Sequence, residues 1–233
     1  MSHRTHRDAE SHHPELDRRR FLKGLGLVVA AAVTPQLARV PHALAESLIL
    51  TPRQTEGPFY PDPLPLEKDN DLVRVGDDGK TASGTITHLT GRIVDRNGKP
   101  IKNALVEIWQ VDANGVYIHQ GSAGGDHRDP HFQGFGRFET ASGGEYRFRT
   151  IKPVSYPGRT PHIHVGVTLK GHDRWTTQCY VRGEPQNDDD GILGWIRDRK
   201  QRESVIVPFV PVKGSPGELA ARFDIVMGFT PKM

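Results

Sequence analysis

Cysteine is nearly absent: Cys179 is the only one in 233 residues. An intrachain disulfide and a Cys-based zinc cluster are therefore excluded. A domain of roughly 190 residues can bury enough surface to fold without a covalent staple. Long apolar runs are missing as well. The run from Gly24 to Val33 has ten residues, about half of the ~20 needed to span a bilayer. Nor does one sign of charge dominate the main body of the chain. Of 31 Lys+Arg and 28 Asp+Glu, residues 1–45 hold 7 and 4, leaving 24 of each in the remainder. A nucleic-acid partner loses its electrostatic footprint once that basic segment is set aside. No Gly-x-Ser-x-Gly elbow is present, and Cys179 has no obvious base nearby in sequence, which argues against a hydrolase.

What is present falls into three parts. In residues 1–45, Arg18-Arg19-Arg20-Phe21-Leu22-Lys23 precedes the short apolar run, and Ala43-Leu44-Ala45 follows it. That order reads as a cleavable export signal, and Arg18–Lys23 resembles a twin-arginine signal. The expectation is a periplasmic or secreted protein with no stable membrane anchoring after cleavage. His3, His6, His12 and His13 lie in this segment and are discounted as metal ligands. Residues 46–85 are rich in Pro, Asp and Gly without helix or strand periodicity, and read as an extended arm packed on a domain.

Residues 86–233 carry short strand patterns separated by turns. Leu89 to Asp95 runs into Asn97-Gly98, Ala104 to Val111 is apolar, and Glu145 to Thr150 alternates. Val205–Val207 and Phe223–Met227 are further strand candidates, and Pro216 to Arg222 reads as one or two helical turns at most. The expected class is all-β: a β-sandwich of mostly antiparallel strands with long active-site loops and an extended N-terminal arm. The irregular stretches Ser122–Gly136 and Arg182–Gly194 exceed ordinary loop length, which often marks function.

His162-Ile163-His164 is the most informative tripeptide. On a strand, residues i and i+2 share a face, so both imidazoles project to one side, roughly 7 Å apart at the backbone. Ile163, Val165, Val167 and Leu169 then form the opposite, apolar face. No Glu follows at a cupin-like spacing, and no carboxylate sits at a telling distance for a ferrous facial triad. Tyr156 lies six residues upstream, in a segment stiffened by Pro153, Pro157 and Pro161. A phenolate beside two imidazoles favours a hard trivalent ion. Tyr156 as a packed loop aromatic, and two histidines on a solvated face, stay open at this point.

Many spaced motifs add to these residues: TPRQTEGPFYP from Thr51, LTGRIVD from Leu89, GKPIKNALVEIWQVDANGVY from Gly98, DPHFQGFGR from Asp129, GGEYRFRTIKPVSYP from Gly143, TPHIHVGV from Thr160 and TQCYVRGEP from Thr177. In this order they resemble the intradiol ring-cleavage dioxygenases, especially the protocatechuate 3,4-dioxygenase type. The resemblance implies a β-sandwich enzyme that inserts both atoms of O2 into a catechol-type ring to give a cis,cis-muconate. It implies one non-haem Fe(III) per chain, held by Tyr117, Tyr156, His162 and His164. It assigns Tyr156 as the tyrosinate that leaves and takes a substrate proton, Arg159 as the cation at the attacked ring carbon, and Gln178 as a residue beside the iron. Thr55, Gly57, Pro58 and Trp109 correspond to residues lining or flanking the substrate pocket. The implied partners are a small aromatic diol (protocatechuate, catechol or hydroxyquinol class) and O2; a homo-oligomer is compatible with the pattern.

Two departures stand out: the loop before the histidines, and the lack of a long helical N-terminal domain of the kind that catechol 1,2-dioxygenases use to dimerise. Only five residues separate Tyr156 from His162, and the tryptophan that protocatechuate enzymes carry after the tyrosine is missing. Cleft loop and ligands lie on one chain, as in a single-subunit enzyme. Two rival readings remain. GRIVDRNGKPIKNALVEIW also resembles non-catalytic transthyretin-like or carboxypeptidase-regulatory modules. Alternatively, His162 and His164 would join His127 or His131 in an exported copper or zinc protein. Asn187–Gly191 reads as a solvated acidic turn rather than a calcium loop.

Overall fold

The computed structural model describes residues 48–228, apart from Asp78; the export-signal segment lies outside the described residues. Alternating sequences form ten strands in two five-stranded sheets. In the first, β1 (Ile86–Val94) pairs antiparallel with β4 (Glu145–Ile151), and parallel with β9 (Leu219–Arg222) and β10 (Ile225–Val226). β8 (Phe209–Pro211) closes its edge against β9. In the second, the order is β3 (Phe135–Glu139), β2 (Leu105–Trp109), β5 (His162–Thr168), β6 (Trp175–Val181) and β7 (Ile206–Val207).

One core cluster joins side chains from both sheets: Leu89, Ile93, Tyr146 and Phe148 from the first, and Val106, Ile108, Ile163, Val165, Val167 and Cys179 from the second. This is the sandwich that the strand pattern predicts. Burial pushes the Cys179 thiol up, consistent with a packing role rather than a nucleophilic one.

Three local expectations need correction. Pro216–Arg222 is not helical. Leu219–Arg222 forms β9, because parallel pairing of Leu219 to Arg222 with Thr87 to Thr90 outweighs weak local preference. The stretch from Arg182 to Gly194 holds a 3-10 turn at Pro185–Asp188 and a short helix, α1 (Gly191–Gly194), followed by α2 (Arg199–Ser204). Asp190 and Asp198 cap these helices, accepting from Ile192 and Leu193 and from Gln201, a local pattern of side-chain acceptor before free amides. The segment Ser122–Gly136 likewise contains a 3-10 turn, at Gly125–His127.

Residues 48–85 have no helix and only one isolated bridge, Asp71 to Arg149, yet they are firmly attached. Thr51 exchanges two hydrogen bonds with Val226 (3.1 and 2.9 Å), the Gln54 amide donates to Thr176 O (2.9 Å), and Leu72 and Val73 are fully buried. Among the described residues no helix is long and apolar enough to cross a membrane.

Candidate metal centre

The second sheet has two faces with different chemistry. The inner face of β5 supplies Ile163, Val165 and Val167 to the core. His162 and His164 point the other way, as their spacing requires. That face is not solvated: both histidines are 2% exposed, covered by the arm and by an apolar cluster of Trp109, Val111, Tyr117 and Phe135.

Two loops bring tyrosines to the histidines. Asp112 shapes the first: its carboxylate accepts from the amides of Asn114 (2.8 Å), Val116 (3.0 Å) and Asp129 (2.6 Å), while Gly115 supplies a positive φ of 79°. The next residue but one is Tyr117, whose amide donates to Ser122 Oγ (3.0 Å). The second loop, expected to be stiffened by its prolines, also reverses direction. Tyr156-Pro157-Gly158-Arg159 is a tight turn closed by Arg159 N to Tyr156 O (2.9 Å), with Gly158 at φ 79°. Proline second and a left-handed glycine third are the needs of a type II turn. Tyr156 and Arg159 thus become neighbours, with Arg159 Nη1 3.5 Å from Tyr156 Oη.

Four donor groups meet here. His162 Nε2 stands 3.2 Å from His164 Nε2, which stands 3.1 Å from Tyr117 Oη. The Tyr117 and Tyr156 rings meet edge to face at 5.5 Å. His162 Nδ1 lies 2.6 Å from the Thr160 carbonyl, so that nitrogen carries the proton and Nε2 presents a lone pair. Burial, helped by the Arg159 charge, lowers His162 to about 3. Burial and the neighbouring His162 lower His164 well below its ordinary value, so both rings are neutral at physiological pH. Burial and the facing Tyr156 hold the Tyr117 phenol well above the ordinary range.

This donor set fits a trivalent ion. Two neutral imidazoles face two phenols, and burial keeps Tyr117 protonated until a strong cation arrives. Hard phenolate oxygens suit ferric iron better than zinc or copper(I). Among the described residues, no three His, Cys, Asp or Glu side chains are grouped to hold a metal, so His127 and His131 do not complete a copper or zinc site with His162 and His164.

The remaining predicted site residues surround this cluster. Trp109, fully buried, stacks on His164 with centroids 4.9 Å apart and planes within 8°, and so acts on the site through that ring. Gly57, at φ +72°, sits where a Cβ would lie 3.4 Å from His164 Cε1. Thr55 and Pro58 flank it and are exposed, and Thr55 Oγ1 accepts from Gly57 N (3.1 Å). Gln178 lies on β6 opposite His164. Its Oε1 accepts from Arg159 Nη2 (2.5 Å) and Tyr180 Oη (2.9 Å), and its Nε2 donates to Thr55 O (3.1 Å).

Sequence reasoning missed several partners. Asp190, read as part of a solvated turn, is 3% exposed and pairs with Arg159 Nε at 2.8 Å. The cue was Asp190-Gly191 before Ile192-Leu193, a helix-start pattern. Gln54 donates from Nε2 to Tyr180 Oη (2.7 Å) and accepts from Gln178 N (3.1 Å), and Phe59 stacks on Tyr117 at 5.1 Å. Neither carried a sequence signal of its own.

Known proteins resemble the chain over most of its described length. The Dioxygenase family model matches residues 55–228. The β chain of protocatechuate 3,4-dioxygenase from Burkholderia cepacia is 39% identical over 168 residues, 68% of this chain and 71% of that one. Catechol 1,2-dioxygenase from Acinetobacter baylyi is 35% identical over 158 residues, 60% of this chain. The match spans about half (49%) of that relative's length. Among solved structures, the dioxygenase domain of a carbohydrate-binding fusion protein from Streptomyces sp. SirexAA-E superposes with a TM-score of 0.58 at 28% identity. It covers 78% of this chain and 100% of that one. A two-sheet sandwich with this sequence signature is an oxidoreductase of the dioxygenase class, which sets aside the non-catalytic module reading. The chain belongs to the intradiol ring-cleavage dioxygenase family.

Proposed function

We propose that this chain opens catechol-type rings between the two hydroxylated carbons, using one non-haem Fe(III) held by Tyr117, Tyr156, His162 and His164. The observation that carries the reading is the convergence of His162 Nε2, His164 Nε2 and Tyr117 Oη within 3.2 Å steps, with Tyr156 closing the set. When bound, the ferric ion would supply an electron-poor centre that chelates the diol and makes its ring reactive towards O2.

The protein's own groups do the rest. Tyr117 is buried and backed by Phe59, so it suits a permanent ligand. Tyr156 is partly exposed beside Arg159, and its oxygen is the better placed to accept a substrate proton, with Nη1 of Arg159 then donating to it. Arg159, fixed by Asp190 and Gln178, offers positive charge where negative charge develops on the ring. Gly57 against His164 and the apolar cluster keep water from the ligand side of the site.

Iron loading with visible spectroscopy, followed by oxygen uptake on catechol, protocatechuate and hydroxyquinol, tests the proposal. A red-brown tyrosinate band that weakens in both Tyr117→Phe and Tyr156→Phe is expected. An unchanged band in either variant removes that residue from the ligand set. The same reading places residues 1–45 as a twin-arginine signal. Replacing Arg18 and Arg19 with Lys should then retain the protein in the cytoplasm.

A further inference from the structure

The loop from Thr55 to Tyr60 contains no strand or helix, yet it lies over the candidate metal centre. Its inner contact is Gly57 against His164. On its outer side a single guanidinium gathers three partners. Arg174, just before β6, has Nη2 2.9 Å from Glu56 Oε2 and Nη1 3.2 Å from Glu107 Oε2. Its guanidinium carbon also sits 3.8 Å from the centre of the Tyr60 ring, a cation–π contact. Tyr60 Oη donates to Glu107 Oε1 (3.3 Å), and the Tyr60 ring meets Trp109 edge to face at 5.1 Å. Glu56 and Tyr60 belong to the arm. Glu107 belongs to β2, two residues before Trp109, and its side chain is only 7% exposed.

A second observation points to the same residue. Gly166 lies within β5 directly opposite Glu107. Glycine weakens a strand interior unless something must come close. A Cβ there would stand 3.0 Å from Arg174 Cδ and 3.4 Å from Trp109 Cζ3. The strand leaves room for the Arg174 stem and the Trp109 ring, the same ring that stacks on His164.

We propose that Arg174 is a positioning residue, a latch that holds the Thr55–Tyr60 loop closed over the centre and so sets affinity for the diol. The proposal rests on the reading that this loop lines the substrate cleft. A planar guanidinium serves two carboxylates and one ring face at once, which an ammonium cannot do. Without it, Glu107 loses its cation, Glu56 loses its attachment to the sheet, and Tyr60 keeps only its contacts with Glu107 and the Trp109 ring.

The test uses the full-length, iron-loaded protein and Arg174→Gln. KM for catechol should rise tenfold or more while kcat stays within threefold, and the tyrosinate band should be unchanged. Amide hydrogen exchange at Glu56, Gly57, Phe59 and Tyr60 should quicken at least tenfold, with Ile163–Val165 unaffected. Arg174→Lys should recover only part of the loss. Glu56→Gln cuts the arm end alone and guards against a folding defect; it should show the same loop-specific quickening to a smaller extent. Unchanged loop exchange in Glu56→Gln, or a fall in kcat at constant KM in Arg174→Gln, overturns the latch. Exchange needs no turnover. Absence of tyrosinate colour in the unaltered protein would therefore overturn the iron-site reading while leaving the exchange result to judge the latch.

Discussion

Asp190 and Arg159 form an ion pair whose acid end is wholly out of water: Asp190 Oδ2 stands 2.8 Å from Arg159 Nε, and the Asp190 side chain is 0% exposed. The same oxygen accepts from Thr160 N (3.0 Å), two residues before His162, while Oδ1 caps α1. Burial alone would raise this carboxyl. The Leu193 and Thr160 amides and the Arg159 guanidinium outweigh burial and hold it below the usual range. One carboxylate therefore aims the cation and anchors the strand that carries the histidines.

Asp190→Asn keeps the shape but turns a donor towards Arg159. Breaking a buried pair from one side costs about 3 kcal/mol, which urea denaturation should register. The kinetic result expected is a fall in kcat of more than tenfold with the iron colour retained. Wild-type kcat in this variant would show that Arg159 does not need Asp190.

Asp129 gives a pH prediction away from the site. Burial tends to raise it, but the amides of Ser83 (2.7 Å) and His131 (2.9 Å) bind its carboxylate and lower it. Its stabilisation is complete above the unfolded value of about 3.9, and is lost as pH falls through the lower folded value. The stability gap between the unaltered protein and Asp129→Asn should be constant from pH 7 to 5 and shrink below pH 4. A gap that stays constant to pH 3 would contradict the assignment.

Trp109→Ala removes a fully buried ring and the stacking partner of His164. The expected loss is about 3–5 kcal/mol, with weaker iron retention under chelator challenge. Trp109→Phe should keep most of both. Equal iron retention in all three proteins would detach Trp109 from the centre.

Gly57→Ala tests the approach of the arm. The left-handed φ of +72° costs an alanine about 1 kcal/mol, and the added methyl reaches His164 Cε1 only at contact distance. A small loss in melting temperature with a several-fold rise in KM is expected. Unchanged KM would mean that the loop does not border the substrate.

Sequence legibility tracked how local each cause is. Strand alternation announced the sandwich, and the i, i+2 rule put His162 and His164 on one face because that geometry needs no partner. Tyr117 had no local signature: its position comes from Asp112 gathering amides from residues 114, 116 and 129. Pro157-Gly158 was visible as letters, yet it was read as stiffness where the chain makes a turn. β9 was misread because its pairing partner lies 132 residues upstream, as in Thr87 with Leu219. Asp190 looked solvated because an acidic run says nothing about the arginine that folds onto it.

Thr51 and Val226 are bonded to each other across 175 residues of chain. All four proposed ligands lie between them, and the cleft loop begins just past Thr51. A ribosome that has not yet released Val226 therefore holds a chain with every proposed ligand made and the Thr51 anchor still missing. The loop's first anchor therefore waits on a residue made after every ligand, so removing β10 should loosen the substrate loop at the other end of the described residues.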